Sequence, residues 1–270
     1  MADEIEATLS VRVPLRLLAA GATEGPGPAP ILIGMHGYGQ DADSLLPVLL
    51  HVAPPGSLVL SLEGPESAYL EGTNTSVPRR GSHWGVSTRP DDNRAVHRAC
   101  VAEAISWAGA HGGDPECVLL FGFSQPCSFN YRLALTPPHG VPFRAIAAIC
   151  GGIPGEWKSN EPGTSASRET DVLHVSTRED EIYSLDKIAH YRERLAARFR
   201  SATHSLYDGG HRIPSASAGE VRAQSYVALD AGYLSQAQFD TLFDQADKCS
   251  RQLSRFMTYL QRANIGTVQR

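Results

Sequence analysis

Short apolar runs recur along the chain, at Ile31 to Met35, Ser57 to Leu62, Cys117 to Phe123, Arg144 to Cys150 and Asp171 to Val175. They are rich in Val, Ile and Leu, and they predict strands buried on both faces of a parallel sheet. Between them the spacing turns helical. Val96, Cys100, Val101, Ala104, Ile105 and Ala108 share one predicted helix face, with Asp91 or Asp92 as its cap and Gly112-Gly113 as its stop. Ile188, Leu195 and Phe199 mark another helix. Strands alternating with helices predict an α/β fold, an open and mostly parallel sheet with helices on both faces.

Two stretches interrupt this order. Residues Glu66 to Pro90 carry Gly, Pro, Ser and Asn with no clear period, and they read as a long loop. Residues Asn160 to Ser167 read as a shorter polar loop. Near the end, Ser235-x-x-Gln238 has the form of a capping box, and Phe239, Leu242, Phe243, Ala246, Leu253, Phe256, Met257 and Leu260 follow at helical spacing. A final helix packed on the sheet is expected there, with a partner-binding helix as the alternative. Residues 1–270 are read as one domain with a helical extension over about 215–262.

Composition narrows the function classes. Of the 270 residues, 42% are hydrophobic and 20% are charged, and the net charge is −5 without a dense basic run. Nucleic acid and anionic membrane surfaces are therefore poor partners. No apolar run has the length of a membrane span. The acidic start, Met1 to Glu6, lacks the basic and apolar parts of a secretory signal. The five cysteines are odd in number and lack metal-like spacing, so reduced thiols in a cytoplasmic protein are expected. Nothing in the sequence fixes whether the chain forms a homo-oligomer.

The chemistry gathers around Ser124. Acyl transfer needs a hydroxyl beside a base, together with donors aimed at the developing oxyanion. A sharp turn from strand to helix supplies both. Gly122-Phe123-Ser124-Gln125 follows a buried-strand pattern and precedes a helical one, unlike Gly85-Val86-Ser87 and Gly163-Thr164-Ser165. A serine helix cap at a strand end is the plainer reading of the same residues. In G-x-S-x-G turns the acid and then the histidine follow the serine in the chain. Asp180 lies just beyond the strand beginning at Asp171, with Glu179 and Glu181 as close competitors. His211 follows Gly209-Gly210 after a late strand, and Asp208 is a less suitable acid because it lies so near in sequence. The turn His36-Gly37-Tyr38-Gly39-Gln40 offers the Tyr38 N–H as one oxyanion donor, and the Gln125 N–H offers the other.

The same glycines admit a rival. Gly37-x-Gly39-x-x-Ala42 fits a dinucleotide fingerprint, and Glu63 falls where a ribose-binding acid would sit. That reading makes the chain a nucleotide-dependent oxidoreductase. Asp41 and Asp43 oppose it, because a pyrophosphate needs positive potential at the helix start. A non-catalytic binding protein on the same fold is the other alternative.

Taken together, His36-Gly37-Tyr38-Gly39-Gln40, Gly122-Phe123-Ser124-Gln125, the Asp180-Glu181 loop and Gly209-Gly210-His211 resemble the phospholipase/carboxylesterase branch of the α/β-hydrolases, which includes the acyl-protein thioesterases. The resemblance implies an α/β-hydrolase fold and a cofactor-free serine esterase acting on a small-molecule ester. It implies Ser124, Asp180 and His211 as catalytic triad, and Tyr38 and Gln125 as the oxyanion hole. It also points to Phe123, Trp84 and Tyr69 as substrate contacts, with a loop anchor as the plainer role for Trp84. Pro126 and Cys127 depart from the family's two glycines, and the stretch Ser215 to Gly232 is additional. Cys127 reads as a small buried filler rather than a reactive thiol. No H-E-x-x-H motif is present, so no metal is expected.

Overall fold

A computed structural model describes residues 13–21, 27–70, 79–85, 90–159, 161–214 and 236. In chain order its strands are β1 (Leu17–Gly21), β2 (Ala29–Met35), β3 (Leu58–Leu62), β4 (Glu66–Leu70), β5 (Arg79–His83), β6 (Gly113–Phe123), β7 (Ala145–Ile149), β8 (Asp171–Thr177) and β9 (Ser201–Tyr207). Its helices are α1 (Ala42–Val52), α2 (Pro90–Ala110), α3 (Cys127–Leu135), α4 (Leu185–Ile188) and α5 (Tyr191–Ala196). Seven strands form one sheet in the order β1-β3-β2-β6-β7-β8-β9. Within this sheet, among the described residues, only β1 is antiparallel to its neighbour, so the predicted open, mostly parallel sheet is what the chain builds.

Period-two alternation sorts the strand residues onto two cores. Ile31, Ile33, Met35, Leu58, Leu60, Leu62, Val118 and Leu120 face Val101, Ile105 and Tyr131 of α2 and α3. Leu32, Val59, Phe121, Phe123, Ile149 and Val175 face Leu45 and Leu49 of α1. Each buried Ile or Leu is worth about 1.5–3 kcal/mol over exposure, and a one-residue slip would exchange the faces of a whole strand. Gly34 lets α1 seat directly on β2, because a Cβ there would lie 2.2 Å from Leu49 Cδ1. Among the described residues no helix is long and apolar enough to cross a membrane.

Four expectations need correction. The stretch from Glu66 is not one long loop, because β4 and β5 pair as an antiparallel hairpin from Glu66↔His83 to Leu70↔Arg79. Their sequences, ESAYL and RRGSH, carry little apolar signal, so periodicity could not reveal them. The hairpin docks through its backbone instead: Gly39 N–H donates to Ser82 O at 2.9 Å, and Ser82 N–H donates to Gln40 O at 2.7 Å. Helix α2 opens at Pro90 with Asp91 and Asp92 inside its first turn rather than capping it. Its buried face is His97, Val101, Ala104, Ile105 and Ala108, which turns Val96 out to solvent. A histidine is ordinarily polar and so gives no hydrophobic signal at position 97. Here burial drives its pKa down to about 3, and the neutral ring stacks on Phe129. The helix expected across Ile188 to Phe199 is broken into α4 and α5, although Ile188, Leu195 and Phe199 all enter one core. The predicted C-terminal helix and the stretch from Ser215 to Gly232 lie outside the described residues.

Candidate active site

Ser124 follows β6 directly and has φ +63°, in the left-handed region that a side chain rarely adopts. A non-glycine residue there costs about 1–3 kcal/mol and persists only where its surroundings enforce it. Its N–H donates to Ile149 O at 2.8 Å, and its carbonyl accepts from Cys127 N–H at 3.2 Å. Pro126 has φ −72°, close to the angle its ring imposes, and its missing N–H is no loss at the start of α3. Proline at this position therefore adopts a φ its ring favours. Cys127 is wholly buried and donates to Gly122 O at 3.3 Å. Burial pushes its thiol well above the ordinary range, so it is a filler and no nucleophile. Gly151 closes the turn from the neighbouring strand end, where a Cβ would lie 2.5 Å from Ser124 O and 2.3 Å from Cys127 Sγ.

Strands β8 and β9 are parallel neighbours, so the loops that leave them run side by side. One carries Asp180 and the other His211. His211 Nε2 lies 2.7 Å from Ser124 Oγ, and His211 Nδ1 lies 2.9 Å from Asp180 Oδ2. A carboxylate only accepts, so Nδ1 carries the proton and the Nε2 lone pair of the neutral ring is left for the serine hydroxyl. Burial raises the Asp180 pKa. The Tyr183 N–H, the His211 ring and the Ile182 N–H more than offset this, and the net shift is downward from 3.8. Asp180 is therefore ionised while almost fully buried. The imidazole is flanked by Phe123 and Tyr183, at ring-centroid distances of 5.2 and 5.8 Å.

The competing carboxylates have other partners. Glu179 accepts from the Gly209 N–H, and Glu181 accepts from the His211 N–H at 3.0 Å. Asp208 is exposed and pairs with Arg178 at 3.1 Å. Of the four, only Asp180 reaches the ring.

The two oxyanion candidates sit on turns that β2 and β6, adjacent and parallel, bring to one edge of the sheet. Neither the Tyr38 N–H nor the Gln125 N–H has an acceptor among the described residues. Around them the turns are fixed. Gly37 N–H donates to Gln40 Oε1 at 2.9 Å, and a Cβ on Gly37 would lie 2.8 Å from the Phe123 ring. Trp84 N–H donates to Gln125 Oε1 at 2.9 Å, while Gln125 Nε2 donates to Gly85 O at 2.7 Å. The Gln125 side chain thus ties the serine turn to the hairpin exit, a contact that no sequence pattern announced. His36 Nε2 accepts from Gly64 N–H at 2.9 Å, so its Nδ1 carries the proton and donates to Gly37 O. Burial lowers its pKa and keeps it a neutral strut.

The expected substrate contacts divide. Phe123 is buried, and its ring supports His211 and Gly37 from below. Trp84 is 2% exposed, packs between His36 and His97, and donates to His36 O at 2.9 Å. Its ring and indole N–H thus hold the loop against His36. Tyr69 lies on β4 opposite Arg80.

The glycine turn does not leave the start of α1 open to a phosphate. Asp41 caps the helix through Ser44 N–H, and Glu63 accepts from Ala42 N–H at 2.7 Å and from Ser82 Oγ at 2.7 Å. The cleft beside it, about 410 Å³, is lined by three carboxylates, Asp41, Asp43 and Glu63, against two cations, Arg80 and an Arg16 already paired to Asp43. A pyrophosphate would find the helix-start N–H groups already held by the Asp41 and Glu63 carboxylates. Among the described residues no group of three or more His, Cys, Asp or Glu could hold a metal ion.

No known family model matches the chain, and no curated protein sequence matches it. Solved structures do match. A Bacillus cereus carboxylesterase shares 15% identity, with 87% of this chain and 94% of that one covered at a TM-score of 0.53. A carboxylesterase from Mesorhizobium loti shares 19% identity, covering 78% and 93% at 0.53. Arabidopsis thaliana SOBER1 shares 16%, covering 82% and 99% at 0.53. At such identities the likeness concerns the fold, and the chain has the α/β-hydrolase fold.

Proposed function

We propose that this α/β-hydrolase fold carries a serine esterase that cleaves small-molecule carboxylic esters through an acyl-enzyme. The observation that carries the reading is the unbroken chain of hydrogen bonds from Ser124 Oγ through His211 to the ionised Asp180. The esterase names of the similar structures support the same class of reaction.

In the first half-reaction His211 Nε2 takes the Ser124 proton as Oγ attacks the ester carbonyl. Asp180 holds the tautomer and balances the imidazolium. The N–H groups of Tyr38 and Gln125, which have no other acceptor among the described residues, receive the oxyanion. The tetrahedral intermediate collapses, the alkoxide takes the proton from Nε2, and the alcohol leaves. Water then repeats the sequence on the acyl-serine and releases the acid.

The test is hydrolysis of p-nitrophenyl esters of graded acyl length by the wild type and by Ser124→Ala. The variant should lose at least ~10³-fold in kcat. A fluorophosphonate should label the wild type at Ser124 only. Undiminished hydrolysis by Ser124→Ala, or a wild type inert to both reagents, overturns the proposal.

A further inference from the structure

Three successive carboxylates, Glu179, Asp180 and Glu181, leave the end of β8, and all three are spent on the loop that bears His211. Asp180 takes the imidazole. Its neighbours take the backbone on either side of residue 210. Glu179 receives the Gly209 N–H, and its own N–H donates to Gly209 O at 3.0 Å. Glu181 Oε2 receives the His211 N–H at 3.0 Å. The peptide groups between and beyond them are also claimed. Thr177 Oγ1 donates to Gly210 O at 2.9 Å, and Cys150 Sγ donates to Arg212 O at 3.1 Å. From 209 to 212 every residue is therefore clipped through its backbone to a side chain of the adjacent strand ends.

This arrangement answers a physical need. Two glycines precede His211, and Gly209 has φ +126°, so the loop has little intrinsic preference for one path. The ring, however, must meet Ser124 Oγ at hydrogen-bond distance, and a displacement near 1 Å can cost on the order of 10²-fold in rate. Asp180 sets the ring's tilt but not the position of the Cα that carries it. A second acceptor on the backbone of the same residue sets that. Charge-assisted bonds to an amide are among the stronger ones a loop can make.

We infer that Glu181 is a positioning residue for His211: its carboxylate fixes the His211 backbone, as Asp180 fixes the His211 ring. The inference rests on the reading of His211 as the base. Glu181 is exposed and touches neither Ser124 nor the imidazole, so its effect acts through the loop. Its carboxylate is held ionised, below 4.5, by its own backbone N–H and by that of His211.

The experiment compares wild type, Glu181→Ala, Glu181→Gln and Ser124→Ala on p-nitrophenyl acetate, with the His211 amide proton followed by NMR in labelled protein. Glu181→Ala should lose roughly 10- to 100-fold in kcat, with KM within about twofold, because the ring and not the substrate is misplaced. Its His211 amide resonance should move upfield as the acceptor disappears. Glu181→Gln keeps an acceptor oxygen and should restore both readouts, kcat to within about threefold of wild type. A Glu181→Ala enzyme with wild-type kcat while Ser124→Ala is dead overturns this inference alone. So does a Gln variant as impaired as the Ala variant. Retained activity in Ser124→Ala removes the catalytic reading and this inference with it.

Discussion

The serine turn and the histidine loop deliver two ends of one hydrogen bond by opposite means. At Ser124 the backbone does the positioning. A strained φ, a proline whose ring angle suits the turn, a buried thiol and a glycine pressed against the serine carbonyl leave the chain one path. At His211 the backbone is permissive, and side chains from neighbouring strand ends hold it. The first kind of site is intolerant of added atoms. The second is intolerant of lost acceptors. Both strategies converge on a distance of 2.7 Å.

The largest break in this comparison is Asp180→Asn, which leaves the loop in place but offers the wrong partner to Nδ1. A loss of roughly 10³- to 10⁴-fold in kcat is expected from steady-state assays. The same variant changes the acid limb of stability. The folded-state pKa of Asp180 lies below 3.8, so its contribution is complete above the unfolded value and drains as pH falls through the lower, folded one. Urea unfolding followed from about pH 5 to pH 2 should therefore show a shallower decline in Asp180→Asn than in wild type.

A smaller effect separates the two regions by bulk. Gly151→Ala drives a methyl into Ser124 O and Cys127 Sγ, neither of which has room to retreat. A loss of about 1–3 kcal/mol is expected in denaturant unfolding, together with impaired turnover. Gly210→Ala meets Glu181 Oε2 at 3.2 Å and the Glu179 carbonyl at 3.6 Å, so a shift of a few tenths of an ångström accommodates it, and it should cost about 1 kcal/mol or less. Equal costs at the two glycines would erase the contrast. The smallest effect belongs to Asp208→Ala. That carboxylate pairs with Arg178 in the open, and surface pairs contribute about 0–1 kcal/mol, so kcat should stay within about twofold.

Much of this was legible in the residues. Five strands of the parallel sheet follow from short continuous runs rich in Ile, Leu and Val, because burial on two faces demands them. The turn at Ser124 was readable as strand, then serine, then helix. Less accessible was the hairpin of β4 and β5, whose strands pair through backbone groups that every sequence carries. Trp84 was ambiguous for a related reason. An aromatic in a loop can line a cavity or plug a core, and here it plugs the space between His36 and His97. The helix face of α2 includes a residue that hydrophobic periodicity does not mark, because a histidine occupies the interior at position 97.

By itself the sequence determined the periodicities that build the sheet, and the order of a serine, an acid and a histidine along it. Only the tertiary structure decided which of three consecutive carboxylates faces the ring, and it did so by running two parallel strands side by side. His211 lies 31 residues from Asp180 and 87 from Ser124. Local propensity carries no information about separations of that size. They are fixed by the packing of strand ends, where one hydrogen bond in place of another separates the acid from its neighbours.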